Sequence, residues 1–401
     1  MRNRSRAVGY AMVAMLVLLA GPASLADLDQ GMNYFKSGKF MEAAAEFQAL
    51  VDQSPAYDFG FYMMGLSFLQ MGKTDDAETN LQKAIELNGE KFEYHHALGK
   101  AYFDRGQFPK AVATLKASEG LAGTDKSKQY HLYSLRGLSY ASLEKWGDAI
   151  EDLEKARAIK TSPAILDRLG AAYYELGYND KALPVIKESL KLSPGNAPMQ
   201  LRLANIYLNL GAEATSDAQK DSNYKNALEA AKQYRTLKPN TAEANNLVGR
   251  AALGANDYAQ AEQAFHKVLA QEPDQCYAMA NLGKTYIAQQ KWKEAEDSLN
   301  DAAKCAPRMS VVYENLGFAL QKQKRLDEAI AQYEKAQAIK PSPAITQAIQ
   351  TCKQNIEIAQ ANKQMDAEEA QMKAEAEAEK ARIAAEEAKR KAWEEARKKD
   401  D

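Results

Sequence analysis

SVVYENLGFALQKQKRLDEAIAQYEKAQAIKPSP, residues 310–343, carries the pattern that decides the fold. Tyr313, Leu316 and Leu320 recur at helical spacing in its first half, and Ala329, Tyr333 and Ala336 do so in its second. Two short amphipathic helices joined by a turn near Lys324 satisfy both series. Gly317 and Ala329 are small enough to let the two backbones come close. Pro341 ends the second helix because it lacks a backbone N–H and clashes with the preceding turn.

The stretch is repeated along most of the chain. With Gly317 as the marker, the equivalent residues are Gly283, Gly249, Ala204, Gly170, Gly137, Gly99, Gly65 and Gly31. The second-helix alanine keeps step as Ala43, Ala77, Ala111, Ala149, Ala182, Ala227, Ala261, Ala295 and Ala329. Two markers in step define nine units, and a fixed period makes one elongated array of stacked repeats rather than two or three globular domains. Two intervals are long. Between Gly99 and Gly137 the extra residues are expected in a surface loop, Gly120 to Gln129. Between Ala204 and Gly249 they are expected in a second loop, Gly211 to Asn223.

An aromatic residue, Leu-Gly, Ala, a second aromatic, Ala and Pro at a period of 34 residues resemble the tetratricopeptide repeat. The resemblance implies an all-α, right-handed superhelical solenoid of about nine helix-turn-helix repeats over 27–343. It also implies a non-catalytic scaffold that binds a peptide or protein on the concave surface built by the first helix of each repeat. Carried onto this chain, that surface takes Met32, Phe35, Phe59, Tyr62, Leu66 and Leu69 from the first two units, an apolar end. Such a patch, if fully exposed, points to a partner; packing between neighbouring helices is the alternative. Later units supply Arg202, Asn205, Asn246, Arg250, Asn281, Lys284 and Asn315, a polar and basic end. Asn with Lys or Arg on successive helices resembles the family's carboxylate clamp, without its order of residues, so the expectation is general peptide binding.

At the amino terminus Arg2, Arg4 and Arg6 precede an apolar run from Ala7 to Ala20, then Gly21-Pro22 and Ser24-Leu25-Ala26. This reads as a signal peptide over 1–26, cleaved before Asp27, and places the protein in a periplasm. An uncleaved anchor is the rival, but the run falls short of the roughly 20 residues that span a bilayer. The formal charge of −2 becomes −5 without the three arginines, which gives no basis for nucleic-acid binding. Any contact with a membrane is expected through a partner.

After Pro343, Ile345, Ile349, Cys352 and Ile356 mark one face of a helix over 344–360 that caps the array. The tail, 361–401, is nearly all Ala, Glu, Lys, Arg and Gln. Pairs such as Glu369/Lys373 and Glu386/Arg390 stand in the favourable i,i+4 order of a solvated helix. Met365, Met372, Ile383 and Trp393 do not sustain a heptad, which leaves a coiled coil as the lesser reading.

Catalytic chemistry has little support. His95, His96, His131 and His266 form no metal-ligand spacing, and the common nucleotide, zinc and nucleophile motifs are missing. No cofactor, metal or small-molecule substrate is therefore expected. Two functional readings remain: a periplasmic adaptor, or a constitutive subunit of a cell-envelope export or surface-polymer machine.

The cysteines give one further expectation. Cys276 opens the first helix of its unit and Cys305 lies near the end of the second, so a hairpin turning at Gln290 brings them to the same end. A disulfide suits an exported protein. Against it, position 305 is apolar in other units (Leu87, Ile159, Leu192, Leu237 and Ile339), as a small core residue would be. Cys352 is left as a single thiol in the cap.

Overall fold

The computed structural model describes residues 27–400, with side chains as far as Glu395. The expected signal peptide lies outside the described residues. Those residues are helical apart from short connections, with no strand among them. They fall into two compact units divided after Ile206.

The first unit contains α1 (Leu28–Lys36), α2 (Phe40–Gln53), α3 (Asp58–Gln70), α4 (Thr74–Leu87), α5 (Phe92–Asp104) and α6 (Phe108–Ala117). It continues with α7 (Lys126–Ser142), α8 (Trp146–Ile159), α9 (Pro163–Glu175), α10 (Asn179–Leu192) and the start of α11 (Ala197–Glu213). The second takes the rest of α11, then α12 (Asp217–Leu237), α13 (Ala242–Gly254), α14 (Tyr258–Gln271) and α15 (Cys276–Ala288). It ends with α16 (Trp292–Cys305), α17 (Ser310–Lys322), α18 (Leu326–Ile339) and α19 (Pro343–Asp400).

Each repeat closes on its marker glycine because the second helix places a large side chain there. A Cβ on Gly65 would lie 2.6 Å from Leu81 Cγ, and one on Gly283 would lie 2.5 Å from Leu299 Cγ. Phe47, Leu115, Leu153, Ile186, Phe265 and Tyr333 fill the same place in other pairs. The second-helix alanines, from Ala43 to Ala329, are all fully buried. The turn between the helices needs a left-handed residue at one fixed position. Gly38, Gly72, Gly106 and Gly177 supply it in four pairs, and Glu144, Asn256, Gln290 and Lys324, with φ of 56–63°, in four others.

Three glutamates tie one pair to the next. Glu78 accepts from Arg105 at 2.7 Å and from the Tyr102 hydroxyl at 3.0 Å. Glu262 accepts from Gln289 and Lys291 at 2.9 and 3.1 Å, and Glu296 from Arg325 and Gln323 at 2.7 and 3.1 Å. Each stands immediately after its buried alanine, and its partners come from the next pair at or near its turn.

Both expected loops are mainly helical. Gly120–Ala122 forms a 3-10 turn, and Lys126 already opens α7, because Asp125 caps it by accepting from the backbone N–H groups of Ser127 and Lys128. The longer insertion goes into α11 and α12, which leave only residues 214–216 between them. Tyr224 on α12 packs over Gly211 and Gly254, filling the space two side chains would need. Cap and tail form one continuous helix, α19: Ile345 and Cys352 are buried, whereas every side chain from Glu357 to Glu395 is exposed.

Candidate functional site: the faces of the first helices

Within each unit the first helices of successive pairs touch one another as well as their own partners: α3 with α5, α5 with α7 and α7 with α9, and in the second unit α13 with α15 and α15 with α17. They therefore line a common face, and side chains between their core positions decide what that face can bind.

In the first unit the six apolar candidates are half-buried, in line with packing between neighbouring helices, the alternative to a fully exposed patch. Met32, Phe35, Phe59, Tyr62 and Leu66 pack on a core of Phe47, Val51, Met63 and Met64, while Leu69, with Tyr62 and Leu66, packs on Leu81, Leu98 and Tyr102. Their outer edges form an aromatic row. Phe59 lies 6.0 Å from Tyr62, which lies 4.7 Å from Tyr94. The Tyr94 hydroxyl donates to Asp58 at 3.1 Å, and burial followed by that bond raises its pKa. Sequence reading judged the histidines only by metal spacing and missed the continuation of this face. His96 stacks on Phe92 and stands 5.4 Å from His131, ring centre to ring centre. Burial and then the neighbouring His131 push the His96 pKa down to about 4, so its ring is neutral at pH 7.

Arg202 and Asn205 belong to this unit. Arg202 donates to Glu175 at 3.2 Å and lies over the Tyr174 ring, a local ion pair rather than an open cation.

The second unit holds Asn246, Arg250, Asn281, Lys284 and Asn315. Asn246 Oδ1 is buried without a hydrogen-bond partner among the described residues, and Arg250 is exposed. Asn315 donates to the Val311 carbonyl of its own helix at 2.8 Å, and the Asn281 carbonyl accepts from Thr285 at 2.8 Å. Lys284 is half-buried; desolvation lowers its pKa, and only the charge of Glu314 opposes this. The charge of Glu314 on α17 thus reaches Lys284 on α15 across neighbouring repeats. Around them Tyr277 is 65% exposed, with Val311 and Phe318 also open to solvent. Sequence reading passed over these three, although Tyr277 and Val311 hold the repeat position of Phe59, and Phe318 that of Leu66.

Beside Tyr277, Cys276 and Cys305 are joined by a disulfide with Cα atoms 5.5 Å apart. The alternative of a small core residue at 305 fails on its own comparison, since Leu87, Leu192, Leu237 and Ile339 are exposed and Ile159 is only half-buried. Cys352 is a free buried thiol whose pKa burial raises. Among the described residues no group of three or more His, Cys, Asp or Glu side chains is placed to hold a metal, and no helix is long and apolar enough to cross a membrane.

The glycine-and-alanine interlock of paired helices defines a class of helical repeat proteins. Profiles of the tetratricopeptide repeat match residues 62–126, 163–196, 213–275, 252–310 and 310–343, and the chain belongs to that family. It is similar to a BBSome complex member BBS4 homolog of Drosophila melanogaster, 21% identical over 76% of this chain and 70% of the relative. BBSome complex member bbs-4 of Caenorhabditis elegans is 30% identical over 45% of this chain and 40% of its own length. DnaJ homolog subfamily C member 3 of Gallus gallus is 24% identical over 62% and 52%. Among solved structures, the C-terminal part of a TPR repeat-containing protein from Cytophaga hutchinsonii covers 64% of this chain and 99% of its own, at 20% identity and a TM-score of 0.48.

Proposed function

We propose that the protein is a non-catalytic scaffold that holds an extended peptide or a protein surface against the first-helix face of its second unit. The observation that carries this reading is the group formed by Tyr277, Lys284, Glu314 and Phe318. An exposed aromatic ring, a half-buried cation and a carboxylate whose charge reaches it offer a partner both apolar surface and charge-assisted hydrogen bonds. Membership of a repeat family that presents such faces to proteins supports it further. The Cys276–Cys305 bond favours an oxidising compartment, in keeping with export to a periplasm after removal of residues 1–26.

A second reading, a constitutive subunit of a larger assembly, draws on the relatives named as members of a complex, which the match follows over 76% of this chain in the Drosophila case. One experiment serves both. The partner is captured in cells and titrated against the purified protein and its Arg250→Glu and Lys284→Glu variants. Each substitution is expected to weaken an acidic partner by about 1–3 kcal/mol with the fold intact. Unchanged affinity removes this face from the mechanism, and migration of all the protein in one large complex favours the second reading.

A further inference from the structure

Three helix pairs fasten their open ends at one repeat position, the residue that opens the first helix. In α3–α4 it is Asp58, which accepts from Asn88 Nδ2, just past the end of α4, at 2.9 Å. In α17–α18 it is Ser310, whose Oγ donates to the Ala336 carbonyl at 3.0 Å. In α15–α16 it is Cys276, and the tie is its bond to Cys305. Of the three ties, this one alone can be opened by electron transfer.

The helix start that it holds has no other fastening of the same kind. Gln275, which precedes α15, makes no side-chain capping bond among the described residues, and Ala306 stands where α4 is followed by Asn88. A helix start without a cap leaves its first N–H groups to water and opens readily. Tyr277, the open ring of the candidate face, belongs to this first turn and follows Cys276 directly. Both cysteines are half-buried rather than sealed in the core. The Asp274 carbonyl oxygen lies 3.2 Å from Cys305 Sγ and 3.6 Å from Cys276 Sγ, so an acceptor stands ready for the thiols that reduction makes.

We propose that Cys276 and Cys305 are positioning residues of the partner face: joined, they hold Tyr277 in place, and a dithiol reductant releases it. One thiolate of the reductant attacks either sulfur and forms a mixed disulfide, and its second thiolate displaces the remaining cysteine. The reductant leaves as its own disulfide, oxidised by two electrons, and Cys276 and Cys305 take up two protons as thiols. That partner binding follows the state of the bond rests on the function proposed above; the loosening of the first turn of α15 does not.

Hydrogen exchange of the full chain lacking only residues 1–26 tests this without a partner. The amides of Ala278 and Met279, which donate to the Gln275 carbonyl, are expected to exchange about tenfold faster or more after reduction with dithiothreitol. Val312, which donates to Met309 behind the Ser310 tie, is expected to keep its rate. Cys276→Ser with Cys305→Ser is expected to match the reduced protein. Cys276→Asp with Cys305→Leu and Ala306→Asn rebuilds the tie of α3–α4 and is expected to stay slow with or without reductant. Unchanged exchange at Ala278 and Met279, or equal acceleration throughout α15–α18, which marks a bond that merely holds the fold, overturns the proposal. A photo-cross-linking residue at Tyr277 separates the two readings in cells. No adduct from the parent defeats the proposed function, whereas equal adducts from the parent and from the Cys276→Ser, Cys305→Ser variant defeat the control by the bond alone.

Discussion

Arg136 on α7 grips Asp152 on α8 through two bonds, Nε to Oδ2 at 2.7 Å and Nη2 to Oδ1 at 2.9 Å, and reaches Glu119 with both Nη atoms. Arg136 and Asp152 are 5 and 3% exposed. Removing Arg136 strands the buried Asp152 carboxylate, so Arg136→Ala is expected to destabilise the protein by about 3–5 kcal/mol, and Asp152→Ala by less because Arg136 keeps Glu119. Arg136→Met with Asp152→Leu is expected to recover most of that loss. Urea unfolding of the three variants checks it; additive losses in the double variant contradict it.

His96 makes stability depend on pH. Its folded-state pKa is pushed down to about 4, below the unfolded value, so the unfolded chain takes up a proton first and stability falls as pH drops from about 6.5 towards 4. The loss at pH 5 is on the order of 2 kcal/mol. Thermal melts at pH 7 and pH 5 are expected to differ less for His96→Gln than for the parent protein.

The left-handed turn position predicts opposite effects for opposite substitutions. Gln290→Gly and Lys324→Gly relieve a backbone conformation that disfavours side chains and are expected to stabilise by up to about 1 kcal/mol. Gly72→Ala imposes that conformation on a residue with a Cβ and is expected to destabilise by about 1–2 kcal/mol, although nothing lies near the new methyl. Equal responses at the three positions contradict the assignment.

Gly283→Ala tests the interlock of the paired helices. Its Cβ meets Leu299 rather than open space, so a loss of about 1–3 kcal/mol is expected. Gly283→Ala in a Leu299→Ala background is expected to be far less harmful than in the parent, because the obstructing side chain is gone.

Much of this architecture was legible because one local rule repeats. The glycine, the alanine and the residue facing the glycine recur in step, and each instance corroborates the next; the turns near Lys324 and Gln290 follow from the same register. The insertions were misread because Gly and Ser in 120–129 and 211–223 suggest loops. Asp125 and Ser216 instead cap helices, and Tyr224 finds a cleft between Gly211 and Gly254 that only the folded chain creates. The candidate face was half legible. Repeat position locates Lys284, but the reach of the Glu314 charge to it and the approach of His96 to His131 depend on how neighbouring repeats meet. The burial of Met32, Phe35 and Phe59 likewise depends on packing between helices, which the position of an apolar residue on its own helix leaves open.

Loss of the tail is expected to leave the repeats standing. Its side chains are exposed from Glu357 onward, so deletion of 361–401 removes little core, and the melting temperature at low micromolar concentration is expected to stay within a few degrees. A large drop shows that the tail packs on the repeats.

The proposed role places a protein partner on the first-helix face of the second unit. A photo-cross-linking residue placed at Tyr277 on that face, and in a separate protein at Asp301, exposed on the second helix of the same pair, tests it in living cells. A discrete protein adduct is expected from position 277, weakened by Lys284→Glu, and none from position 301. Equal adducts from both positions, or an adduct from 301 alone, contradict it.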